Sequence, residues 1–118
     1  MSHPIRGQIY LVSFGPTVGH EIQKTRSALI IQNDVGNRYR PITIVAAITS
    51  KVSVVPYPVE VVVSPSKRNG LKVPSSIRLD RIRSVDRARL VKLVGEVDPS
   101  TLAKVDDAIR ISLGLVSL

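Results

Sequence analysis

"ITIVAAIT", Ile42–Thr49, is the longest apolar run in the chain, and its length restricts what the chain can be. It falls far short of the roughly 20 residues that a membrane-crossing helix requires. Its Ile and Val residues favour extended backbone. A near-continuous apolar run of this kind fits a strand covered on both faces.

Shorter segments of the same character lie on either side. "GQIYLVSF" (7–14) alternates loosely and stops at Gly15-Pro16. "SALIIQND" (27–34) is a second strand, and its Asn-Asp pair with the following Gly-Asn marks a turn. "PVEVVVS" (58–64), "SIRLDRIRSV" (76–85) and "RLVKLVGEV" (89–97) follow. In "SIRLDRIRSV" apolar Ile77 and Leu79 alternate with Arg78 and Asp80, which gives one wet face. The C-terminal segment switches to helical spacing at Leu102, Val105, Ala108, Ile109, Ser112 and Leu113. Asp98 suits the N-cap, Pro99 the first turn and Gly114 the stop. Several short strands closed by one amphipathic helix predict a mostly β single domain over 1–118, folded as a small, strongly twisted, partly closed barrel.

Composition narrows the function. The chain has 118 residues, 43 % of them hydrophobic and only 3 % aromatic, so the core rests on Val, Ile and Leu. Lys and Arg number 17 against 9 Asp and Glu, a net charge of +8, which attracts polyanions such as RNA. With no cysteine there are no disulfides, no thiol catalysis and no Cys-held zinc. No carboxylate cluster suits a metal either, and no cofactor is expected. "MSHPIRGQ" lacks the apolar core of a signal peptide, so the expectation is a soluble cytoplasmic protein without membrane contact.

Two loops stand out. "FGPTVGHEIQKT" (14–25) is longer than the 2–5 residues a hairpin needs. Long polar loops on rigid scaffolds are where binding and catalysis tend to sit. "SPSKRNGLKVP" (64–74) is basic and reads as exposed.

Five stretches in order carry a resemblance: "RGQIYLVSFGPTVGHE", "TRSALIIQND", "IVAAITS", "IRLDRIRSVD" and "KVDDAIRISLGL". Together they resemble the MazF/PemK/Kid family of toxin endoribonucleases over almost the whole chain. The resemblance implies an SH3-like barrel, a homodimer and sequence-specific, metal-independent cleavage of single-stranded RNA, mRNA above all. Attack by the 2′-hydroxyl would leave 2′,3′-cyclic phosphate and 5′-hydroxyl ends. It also implies neutralisation by an acidic, MazE-like antitoxin.

Matched residue by residue, the resemblance implies catalytic roles for Arg26 and Thr49. A second constellation, His20, Arg78 and Asp80, matches the Kid/PemK branch. Glu21, Lys24, Lys67 and Arg68 are the RNA-binding candidates. An arginine presents five donors in a planar fork suited to phosphate oxygens, and it stays protonated at ordinary pH, which argues against a base role for Arg26. Gln23-Lys24 and Ser27 stand where the family usually has two glycines and a proline, a departure from the pattern that bears on the loop's path and removes no catalytic candidate. Two other readings remain: a non-enzymatic inhibitor like the gyrase-poisoning toxin CcdB, and a non-catalytic nucleic-acid-binding barrel. The chain ends "GLVSL", without the C-terminal aromatic typical of CcdB. It also carries only three Tyr and one Phe, few for stacking bases.

Overall fold

The computed structural model describes residues 3–15 and 25–117. Among them six strands form one antiparallel sheet: β1 (Gln8–Ser13), β2 (Thr25–Ile30), β3 (Ile42–Thr49), β4 (Glu60–Val63), β5 (Ser75–Asp86) and β6 (Leu90–Glu96). The strand order is β4-β5-β3-β2-β1-β6. β3, the apolar run, sits inside the sheet between β2 and β5. Strand bounds agree with the sequence reading to within two residues, the usual uncertainty of an element boundary, except at the end of β2. That strand stops at Ile30, four residues short of the stretch read as strand, with Asn33 capping a helix instead.

The two faces of the sheet differ. Ile9, Leu29, Ala46, Ile48, Ile77 and Leu79 form the main core with Val105 and Ala108 of the C-terminal helix α2 (Pro99–Ser112). Val105 is fully buried, worth about 1.5–3 kcal/mol for a side chain of its kind. α2 begins where the sequence indicates: Asp98 accepts the Thr101 N–H at 2.7 Å, and Gly114 takes φ +74° beyond the last turn. Ser112 donates its hydroxyl to the Leu79 carbonyl at 2.6 Å, tying α2 to β5. Leu113, expected on the apolar stripe, is instead 61 % exposed, because the helix ends one residue before it. The opposite face carries a smaller cluster of Val12, Ala28, Ile30, Val45 and Val85.

One expectation is corrected. The turn read at Asn33-Asp34 and Gly36-Asn37 is a short helix, α1 (Asp34–Tyr39). Asn33 accepts the Gly36 N–H at 2.7 Å, since the side-chain chemistry that favours a turn equally favours an N-cap. The fully buried Asn37 fixes α1 by accepting from Thr43 Oγ1 at 2.7 Å and donating to the Gln32 carbonyl at 3.0 Å.

The loop 64–74 closes the barrel by bridging from β4 towards the opposite edge, β6. It is not a loose connection. Asn69, nearly buried, accepts from the Ser66 and Leu71 amides and donates to the Ser64 carbonyl. The Glu96 amide donates to the Arg68 carbonyl at 3.0 Å. Contact is so close that a Cβ on Gly95 would lie 2.5 Å from the Arg68 carbonyl oxygen, and one on Gly70, at φ +70°, would strike the Val94 carbonyl. Gly95→Ala is therefore expected to cost about 1–3 kcal/mol, in the range of overpacking. Urea denaturation checks this; an unchanged midpoint would mean that the seam tolerates separation.

Candidate functional site

The side-chain parity of β3 sets the site. Thr49 pairs with Ser76 and Ala47 with Arg78 on one side of β3, and Ala47 pairs with Ala28 on the other. Carried two residues on, the β2–β3 register sets Arg26 opposite Thr49. Side chains two apart on a strand share a face. Arg26, Thr49, Ser76 and Arg78 therefore all project from the face away from α2, over a floor of Ala28 and Ala47. Strand spacing and rise put the Arg26 and Arg78 Cα atoms about 12 Å apart.

Arg26 and Thr49 are brought together. Both line two adjoining hollows, one of about 700 Å³ and one of about 460 Å³. Arg26 is exposed, and among the described residues no carboxylate pairs with it. The Thr49 hydroxyl accepts the Lys51 amide at 3.2 Å, so its own proton is what it offers a ligand. Lys51, Lys72 and Lys92 rim the larger hollow, and Arg81 and Arg83 the smaller. Arg83 stacks over Phe14 at 4.8 Å.

Arg78 and Asp80 form a bidentate pair, Nε to Oδ1 at 3.0 Å and Nη2 to Oδ2 at 2.8 Å. The pair arises where the β3–β5 register shifts by three residues, between Ala46 (opposite Ile82) and Ala47 (opposite Arg78), leaving Leu79, Asp80 and Arg81 without a partner on β3. The Arg78 hydrogen bond holds the Asp80 carboxyl below its ordinary range, and the Asp80 hydrogen bond raises Arg78. The strand spacing read in the sequence thus places this pair on the face of Arg26 and Thr49, although it lines neither hollow.

His20, Glu21 and Lys24 lie outside the described residues. Arg89, not singled out in the sequence, donates to the Ser13 carbonyl at 3.2 Å and the Gly15 carbonyl at 2.5 Å, holding the chain where the first long loop departs. Lys67 is exposed, and Arg68 faces Glu96 at 3.5 Å and lines a separate hollow. From the same loop it is Lys72 that reaches the Arg26–Thr49 hollow. Nothing in the sequence pattern separates Lys72 from Lys67, because the loop's path depends on the buried Asn69. Among the described residues no group of three or more His, Cys, Asp or Glu side chains gathers as a metal site. No helix there is long and apolar enough to cross a membrane.

Residues 5–113 match the family model of the PemK-like, MazF-like toxins of type II toxin–antitoxin systems. The chain belongs to this family. It is 40 % identical over 111 residues to Endoribonuclease EndoA of Bacillus subtilis (strain 168), covering 94 % of this chain and 95 % of that protein. Among solved structures it is similar to a MazE–MazF complex from Deinococcus radiodurans, with TM-score 0.81 and 26 % identity over 98 % of this chain and 100 % of that one. It is also similar to a mycobacterial endoribonuclease in complex with its cognate antitoxin, with TM-score 0.79 and 26 % identity over 98 % and 99 %. These relatives favour the endoribonuclease over both the gyrase-poisoning and the non-catalytic readings, and the fold is that of MazF.

Polyanion binding to this family member should depend on the hollow's own rim. Lys72→Ala and Lys92→Ala should each reduce the slope of log K against log salt for single-stranded RNA by about 0.7, the value of one phosphate contact. An unchanged slope in both variants would place the RNA path elsewhere.

Proposed function

We propose that this endoribonuclease toxin cuts single-stranded mRNA without a metal ion, using the substrate's own 2′-hydroxyl as nucleophile. The observation that carries the reading is the placement of Arg26 and Thr49 on neighbouring strands, lining the same lysine-rimmed hollow. In the reaction the 2′-oxygen forms a bond to phosphorus and the bond from phosphorus to O5′ breaks. The products are a 2′,3′-cyclic phosphate and a 5′-hydroxyl. Arg26 meets the crowded phosphorane with several parallel N–H donors, and Thr49 adds its O–H. Donors fixed in advance against developing charge give the largest single contribution in reactions of this kind.

Two proton transfers remain. Asp80, ionised and on the same face, takes the proton from the 2′-hydroxyl. Arg78 is a poor donor to O5′, because its pairing with Asp80 raises its pKa further. A protonated histidine is better matched to that task, which assigns it to His20. Glu21 and Lys24 border the same loop, and the basic loop with Lys67 and Arg68 extends the positive surface for the RNA strand.

The whole chain, 1–118, acts as one domain, paired as a homodimer in the cytoplasm. An acidic antitoxin neutralises it by covering the basic face, and a disordered acidic segment that folds on binding can wrap such a surface. Rim charges make that interaction weaken with salt. Light scattering should give twice the chain mass for the toxin alone; a monomer at micromolar concentration would count against the pairing.

Cleavage should continue in EDTA and stop when the nucleotide 5′ to the cut carries 2′-deoxyribose. Continued cutting of the deoxy substrate would remove the 2′-hydroxyl from the mechanism. Arg26→Ala and Thr49→Ala should each slow single-turnover cleavage by about 10²–10³, the cost of losing a preorganised donor, with much smaller effects on RNA affinity.

A further inference from the structure

Glu60 is a buried carboxylate beside the proposed base. It lies on β4 directly opposite Arg78 in the β4–β5 register, and its side chain is only 4 % exposed. Its Oε1 accepts from Ser53 Oγ at 3.2 Å and lies 3.7 Å from Arg78 Nε. Its Oε2 is buried and has no hydrogen-bond partner among the described residues. A buried carboxylate oxygen without a donor is costly, and such groups are rare in folded proteins. A guanidinium sits beside it, yet that guanidinium spends its two-pronged contact on Asp80, which is 39 % exposed.

This arrangement also sets a problem for catalysis. Both Asp80 oxygens are occupied by Arg78. Each oxygen keeps a second lone pair, but the arginine's hydrogen bonds make a carboxylate held this way a weak base.

We infer that Glu60 is a positioning residue: when RNA enters, Arg78 transfers its bidentate contact from Asp80 to Glu60, and Asp80 is released to act as the base. This inference rests on the proposed base role of Asp80. The transfer gives Glu60 Oε2 the donor it lacks. It breaks a pair whose Asp80 side is 39 % exposed and remakes it on a carboxylate that is only 4 % exposed. Arg78 has little distance to cover, because cross-strand partners have adjoining side chains and its Nε is already near Glu60. Arg78 remains paired throughout, first with one carboxylate and then with the other. The Ser53 hydroxyl, on the loop after β3, keeps Oε1 fixed so that Glu60 does not move to Arg78 instead.

Among the described residues the charged groups facing Asp80 are Arg78, Arg81 and, across Arg78, Glu60. Glu60→Gln keeps the shape and the Ser53 contact but removes the competing charge, so Arg78 stays on Asp80. The test is single-turnover cleavage across pH for wild type, Glu60→Gln and Asp80→Asn. Glu60→Gln should slow the saturating single-turnover rate by at least about tenfold, part of the roughly 10²–10⁴ of general-base catalysis, with RNA affinity nearly unchanged. Its acid limb should move to lower pH, because Asp80 remains locked to the arginine. Asp80→Asn should lose that limb altogether. A Glu60→Gln profile matching wild type beside a slow Asp80→Asn would overturn the transfer and leave Asp80 as base. A fully active Asp80→Asn would overturn the base assignment and the transfer with it.

A second measurement needs no variant at position 60. In ¹⁵N-arginine-labelled wild type, the Arg78 Nε–H resonance, identified by its loss in Arg78→Lys, should shift when uncleavable 2′-deoxy substrate binds. An unmoved resonance at saturation would overturn the transfer.

Discussion

The placement of Arg26, Thr49, Arg78 and Asp80 depends on β3 being hydrogen-bonded along both edges. An apolar strand with partners on each side cannot slip by one residue without turning its whole set of side chains over. The register with β2, continued two residues past the Ala28–Ala47 pair, sets Arg26 against Thr49, and the register with β5 fixes Arg78 beside Ala47. α2 covers the other face. What remains is a face whose centre is small and apolar and whose margin is polar and basic, a shape that admits a polyanionic strand and meets it with arginine.

The shift of register between β3 and β5 adds the second element. A strand paired without interruption would hold Asp80 in the ladder. Released from β3, Asp80 turns back on Arg78, and both are held on the face of Arg26. Bulges commonly re-aim a side chain near an active site, and this one sets Asp80, the proposed base, against Arg78. The unsatisfied Glu60 oxygen behind Arg78 belongs to the same arrangement. It is the kind of local imperfection that a fold retains where a site must change state.

Much of this was legible in the sequence, for physical reasons. The six strands and the C-terminal helix followed from apolar periodicity and from caps whose chemistry is local: Asp98, Pro99 and Gly114 act through their own backbone neighbours. Arg78 and Asp80 were readable as neighbours because strand geometry puts residues two apart on one side. α1 was missed because asparagine serves turns and N-caps equally, and the choice is made by Asn37 meeting Thr43 across the fold. Lys72, Lys92 and Glu60 were missed because their relevance depends on which strands become neighbours, and no local pattern carries that. The closure at Gly70 and Gly95 was hidden likewise, since a glycine's need for space shows only once the opposing backbone is in place.

The central claim is that the Arg26–Thr49 pair and the Arg78–Asp80 pair serve one reaction centre on one face. A double-mutant cycle of Arg26→Ala and Asp80→Asn in single-turnover cleavage of one RNA tests it directly. Groups acting as a unit in one transition state are strongly non-additive. The account expects the double variant to be scarcely slower than the slower single variant. Two losses that simply multiply, or an Asp80→Asn variant that cuts at the wild-type rate, would contradict it.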